Sequence, residues 1–490
     1  MSLTNSIKNQ HLLWRAGFGP AVEQFGDLSK HSQKEFFKAM AKASRKSPDP
    51  LNEAQGTMQG LMMGISDLGK FQPKDLNADQ RKMFQQKLRE GVRNLNLAWM
   101  REMVDSGAQL REKMSFFWHG HFACRNLNVY YQQGLVNVIR ENALGSFRDL
   151  LHEVSKTAAM LNFLNNQQNK KDHPNENFAR EVMELFTLGR GNYTEKDIKE
   201  SARAFTGWTA NFQGEFIFRQ NQHDSGDKTF LGKTGNFDGD DILDIILEEK
   251  QAARFITQKI YKFFVNENNP DQDKTEWLAN RFYNNDYNIS KLMEDIFTSE
   301  WFYDEKNIGT KIKSPVELLV GIQRMLPMKL DNEAVLIVLQ RVLDQMLFYP
   351  PNVAGWPGGR TWIDSSSLMM RMRIPQLIND TDELNVKPKD DDDLMMGRRD
   401  TEVYTMKKKG MGSIPSKQQI NATVDWDSYI KNFEKTDRAI LVDAISKLLL
   451  QTKSEVSDET ISQYADATTR ESFIKTATIQ IMSTPEYQLC

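Results

Sequence analysis

Side chains able to move protons or hold a cation concentrate between His173 and Trp208, where the chain reads HPNENFAREVMELFTLGRGNYTEKDIKESARAFTGW. Glu181 and Glu184 stand three apart, so on a helix their carboxylates are neighbours. Two such groups can share a proton or ligate a divalent cation. Asn177 and Arg180 share their face, while Phe178, Val182, Leu185 and Phe186 form an apolar stripe opposite. The charges also satisfy a plainer reading, because Glu176–Arg180 and Arg180–Glu184 are i,i+4 ion pairs of a solvated face. Histidines add further ligand chemistry: His119 and His121 lie in FFWHGHF, and His223 precedes Asp224 in HDSGDK. On a continuous helix two residues two apart point to nearly opposite sides, so both imidazoles reach one ion only if Gly120 breaks the helix. His223 with Asp224 can act as base and orienter or as ligands, and Asp-Ser-Gly is equally a turn sequence. His152, beside Leu150 and Leu151, reads as structural, as do His11 and His31. Trp208, Trp356 and Trp362 can stack on sugar rings or other flat ligands, although tryptophan beside glycine also anchors cores.

These residues need helices to position them. The helix after Asn175, a capping side chain, carries the glutamates and ends at Gly189, where a left-handed cap falls. The next opens on Thr194 and Asp197 in capping-box spacing and closes before Gly207, with Arg203 available to the carboxylates. Helical periodicity also runs over 78–106, 108–122, 127–142, 150–164 and much of 242–347. Ser314, Pro315 and Glu317 supply a cap, a first-turn proline and a capping-box acid. Strand signals are sparse. EFIFR at 215–219, followed by HDSGDKTFLGKTG, predicts a small hairpin or extended flap near 212–235. YPPNVAGWPGGRTW, 349–362, predicts a rigid loop.

The expected architecture is mainly α. A main helical domain spans 1–378, a charged flexible insertion 379–425 contains Asp390–Asp393 and Lys407–Lys409, and helices over 426–490 pack back on the main domain. The chain of 490 residues has Lys plus Arg at 63 against Asp plus Glu at 66, a net charge of −3. That balance lacks the basic footprint of a nucleic-acid binder. Cys124 and Cys490 are too few for a disulfide framework or a cysteine-rich metal site. No apolar run is long enough for a membrane helix. The first residues show no signal pattern, which predicts a cytoplasmic location unless a partner carries the protein out. Phosphate-loop, dinucleotide, nucleophile-elbow and His-Glu-x-x-His motifs are all absent.

Seven blocks occur in order from residue 11 to 367: HLLWRAGFGP, REKMSFFWHGHF, AMLNFLNNQQN, the 174–208 stretch, HDSGDKTFLGKTGNFDGDDI, IKSPVELLVG and PPNVAGWPGGRTWIDSS. Together with the terminal PEYQLC they resemble a bacterial family known as domain of unknown function family 1800, over nearly the whole chain. The resemblance implies a mainly helical protein and carries no established activity. It also implies a genomic neighbour from family 1501, whose members look like sulfatases or alkaline phosphatases. The sequence departs from the family at Asn165, where many members have aspartate, and at Phe186, where many have histidine. Neither position is then an indispensable ligand or acid.

Three functions fit these residues. One is a metal-assisted hydrolase of a polar polymer or ester. It would hold one divalent ion with Glu181, Glu184 and one or more of His119, His121 and His223, and Glu181, Glu184 and Asp224 would do the chemistry. Another is a non-catalytic assembly or binding partner of the sulfatase-like neighbour, with the Glu–Arg stripe of Arg180 and Arg203 in an ion-pair network and Asn177 among its binding residues. The third is a carbohydrate binder using Trp208, Trp356 and Trp362.

Overall fold

A computed structural model describes residues 4–59, 77–379, 383–384, 418–419 and 422–490. Asp390–Asp393 and Lys407–Lys409, expected in a flexible insertion, lie outside the described residues. The architecture is mainly α, and the strands among the described residues form short two-stranded pairs. The chain divides into two compact units. One comprises Lys34–Asp304 with Phe348–Trp356, and the other Met1–Gln33, Glu305–Leu347 and Pro357–Cys490.

The first unit holds the glutamate, histidine and flap motifs. Its long helix Ala78–Asp105 starts on a capping box of Asn77 and Gln80. Val129–Asn142 and Phe147–Lys156 are capped by the side chains of Asn128 and Ser146. Each cap satisfies an amide left free by the first helical turn. The core is strongly aromatic: Trp118 stacks on Phe147 with centroids 5.4 Å apart, and Phe122 meets Phe186 at 5.3 Å. Within it Glu112, fully buried, accepts hydrogen bonds from Arg140 at 3.0 Å, Arg111 at 3.2 Å and the Trp99 indole at 3.0 Å.

The flap region resolves into two hairpins. Strand β1 (Trp208–Ala210) pairs antiparallel with β2 (Phe216–Phe218), and β3 (Lys228–Phe230) with β4 (Lys233–Gly235). The β3–β4 turn is Leu231-Gly232, both residues at positive φ, 43° and 80°. That backbone matches the twist of the strands it joins.

In the other unit Pro315–Met325 begins on the expected capping box of Ser314 and Glu317, with the proline in the first turn. The Lys313 ammonium lies 3.8 Å from the Trp14 ring centre and 3.9 Å from that of Tyr487. The C-terminal helices belong to this unit. The Gln10 amide donates to the Lys447 carbonyl at 2.8 Å, and the edge of the Tyr429 ring faces Phe25 at 6.0 Å.

Candidate functional site

The glutamate helix starts as expected, with the Asn175 side chain accepting the Asn177 N–H at 3.0 Å. It runs as α-helix over Asn177–Glu181 and widens into a π-helix over Val182–Thr187. A π turn displaces backbone carbonyls from their usual partners and is frequent at functional sites. Two of those carbonyls find side-chain donors. Lys259 donates to Leu185 at 2.9 Å, and His121 Nε2 meets Phe186 oxygen at 3.1 Å. His121 therefore carries its proton on Nε2, leaving Nδ1 to accept from Lys259 at 3.3 Å. Burial, and then the Lys259 charge, hold the His121 ring well below its ordinary pKa. Burial also lowers the Lys259 ammonium to about 8, helped by Lys262. Gly189 closes the turn at φ 80°, where an added Cβ would stand 2.9 Å from the Phe255 ring.

The two glutamates sit in opposite environments. Glu184 accepts from the Tyr193 hydroxyl at 2.9 Å and from Arg190 at 2.7 Å, and these bonds hold its carboxyl below the usual range. Burial, reinforced by the Glu184 charge, raises Glu181, with only Arg180 opposing. Arg180 itself spans to Glu195 at 3.0 Å and Glu176 at 3.2 Å, tying the glutamate helix to Glu195–Ala204. Asn177 donates to the Leu164 carbonyl at 3.0 Å. Arg203 grips Asp224 at 2.7 Å and Glu200 at 3.0 Å. Asp224 is partly buried, which alone would raise it, but the Arg203 guanidinium holds it low. His223 Nδ1 faces the Thr206 carbonyl at 3.0 Å.

His119 points elsewhere. The helix Gln109–His121 is continuous through Gly120, so the two imidazoles serve different partners. His119 Nε2 accepts the Phe348 amide at 3.1 Å, holding a residue at φ 68°. Burial takes its pKa to about 3. Its ring packs among Trp99, Phe348 and Trp356 at 5.1, 5.0 and 5.6 Å. Gly355 seats this loop on the helix end, because a Cβ there would come within 2.5 Å of the Gly120 carbonyl. The structure thus does not bring His119, His121, His223, Glu181 and Glu184 together. Among the described residues, no group of three or more His, Cys, Asp and Glu is placed to hold a metal ion. Trp208 and Trp362 are only 3% and 6% exposed, so their faces are packed rather than offered to a ligand, while Trp356 is part-exposed against His119.

Open polar ground lies at a different place. A cleft of about 920 Å³ is walled by the helices Val129–Asn142, Phe147–Lys156 and Gly239–Glu248, with Pro48 and Pro50 at its edge. On its lining His152, read from sequence as structural, bridges two carboxylates: Nδ1 to Asp240 at 2.9 Å and Nε2 to Asp244 at 3.0 Å. Both ring nitrogens can donate only when the ring is protonated. Burial opposes that charge, but the bonds to Asp240 and Asp244 outweigh it and raise the ring above its ordinary pKa. Lys156 reaches Asp240 at 2.8 Å and Arg148 pairs with Asp244. Asp149 and Glu153 line the same cleft, exposed and without an ion pair among the described residues. The i,i+4 spacing of Asp240 and Asp244 is visible in the sequence; the histidine they meet, 88 and 92 residues away, is not.

Fold and site together define a mainly helical protein whose motif residues form ion pairs and hydrogen bonds within the fold and which carries a polar cleft lined by a clamped histidine. The chain belongs to the family described as protein of unknown function (DUF1800), whose model matches residues 11–489. No curated protein and no solved structure matches it.

Proposed function

We propose that this chain is a non-catalytic binding partner that receives a cationic segment of another protein in the His152 cleft. One observation carries the reading: the motif charges Arg180, Glu184, Arg203 and Asp224 each have an ion-pair partner, whereas Asp149 and Glu153 line the cleft with none among the described residues. Exposed carboxylates steer and select a positively charged surface, with an effect that salt screens. The neighbouring family 1501 protein implied by the sequence resemblance is the partner to try. Co-expression should give a complex that weakens as salt rises and that an Asp149→Lys/Glu153→Lys variant no longer forms. A wild-type chain that binds this protein at no salt concentration contradicts the proposal.

A second reading is favoured by the opposite displacement of Glu181 and Glu184. Carboxyls pushed apart in this way mark a proton donor beside an ionised stabiliser. In a hydrolase of a polar polymer or ester, Glu181 would protonate the leaving oxygen while Glu184 stabilised developing positive charge. A panel of chromogenic esters and glycosides tests it: turnover abolished by Glu181→Gln, with unfolding unchanged, supports the role, and turnover indifferent to that substitution removes it. Elemental analysis of protein purified without tag or chelator tests the divalent-ion version. Metal retained by the Glu181→Gln/Glu184→Gln variant would exclude those carboxylates as ligands.

A further inference from the structure

The β1–β2 hairpin leaves one edge unpaired. Thr209 stands opposite Ile217, the Arg219 amide donates to Gly207 at 2.9 Å and the Asn211 amide to Glu215 at 2.9 Å. Bonded and non-bonded pairs alternate in an antiparallel ladder. The N–H and C=O groups of Phe216 and Phe218 therefore point away from β1, to an edge with no backbone partner among the described residues. The side chains of the same strand are also open, with Phe216, Ile217 and Phe218 exposed by 36%, 38% and 41%. Three consecutive exposed apolar residues on a free edge are what natural sheets ordinarily avoid.

The order of residues selects the occupant. If a second EFIFR segment pairs antiparallel about a two-fold axis at Ile217, Phe216 faces Phe218 of the other copy and Glu215 faces its Arg219. The Phe216 and Phe218 backbone groups are then bonded, both cross-strand aromatic pairs lie on one face, and both ends carry opposite charges. Cross-strand pairs of these kinds stabilise a sheet, and like charges in the same positions destabilise it. In the single chain Glu215 accepts from the Asn211 amide at 2.6 Å, and neither Glu215 nor Arg219 makes an ion pair among the described residues.

We propose that two copies of this chain associate through β2, forming a continuous β1–β2–β2–β1 sheet with Glu215–Arg219 contacts at both ends. The contact is isologous, because the same strand serves on both sides. It is also short, which places it among weak, concentration-dependent interfaces. Sedimentation velocity of the full chain over a concentration series is the test. Wild type should shift from monomer to dimer as concentration rises. Glu215→Arg and Arg219→Glu should each weaken dimerisation about tenfold, and the double swap should restore it. Ile217→Lys, which sets like charges opposite each other at the axis, should abolish it. The substituted side chains are exposed, so thermal unfolding should match wild type. A wild-type chain that stays monomeric at the highest attainable concentration, or a dimer indifferent to these substitutions, overturns the proposal.

Discussion

Glu112 is a buried carboxylate held by Arg140, Arg111 and Trp99, and removing it would leave the fully buried Arg140 guanidinium without that partner. A Glu112→Ala variant should therefore lose about 3–5 kcal/mol, read from the urea midpoint. His152 has the opposite character, being half-buried and titratable. Its folded-state pKa is raised, so the stability it contributes is complete below its unfolded value near 6.5 and is lost as pH rises through the folded value. Wild type should accordingly lose stability across that window, and His152→Gln should flatten this part of the profile. The sequence made His119 and His121 conspicuous and His152 inconspicuous, for an understandable reason. Residue type and spacing reveal ligand chemistry, but the partner that occupies each nitrogen comes from distant chain. The Phe348 amide, the Phe186 carbonyl and Asp240 are such partners. Asn165 is easier to rationalise: at φ 59° it occupies the left-handed region, which asparagine and aspartate both tolerate.

Among the elements, caps and helix spans were the most legible, because they are set by neighbours in sequence. Thr194 and Asp197 exchange both capping-box bonds, at 2.9 and 3.2 Å, and the Asn77-capped helix Ala78–Asp105 matches the predicted 78–106 stretch to within one residue. The π turn at Val182–Thr187 was not legible. Its apolar stripe is ordinary helical spacing, and the widened turn is held by side chains from two other helices. Lys259→Met keeps the packing stem but removes the donor to Leu185 and to His121. It should cost about 1–3 kcal/mol and speed hydrogen exchange over residues 182–189. The sequence predicts a small hairpin or extended flap near 212–235, and the structure has two hairpins there. The first of them forms because β1, at the end of the Trp208 motif, supplies a partner for EFIFR.

At the scale of the molecule, the motif blocks build a frame. Asn166 and Asn169, both buried, bind the Phe205 and Ala202 carbonyls at 3.2 and 2.8 Å, so AMLNFLNNQQN fixes the end of the Glu195–Ala204 helix. Arg180 ties that helix to the glutamate helix, and the helix's own Arg203 ties it to Asp224 of the flap. The cleft lies on other helices, and its Asp149 and Glu153 have no ion pair among the described residues. The most direct test is a binding isotherm for the family 1501 neighbour, comparing wild type with Asp149→Lys/Glu153→Lys at low and high salt. The proposed function predicts binding by wild type that weakens with salt and is lost in the variant. Equal affinity for both proteins, or no binding by wild type, would contradict it.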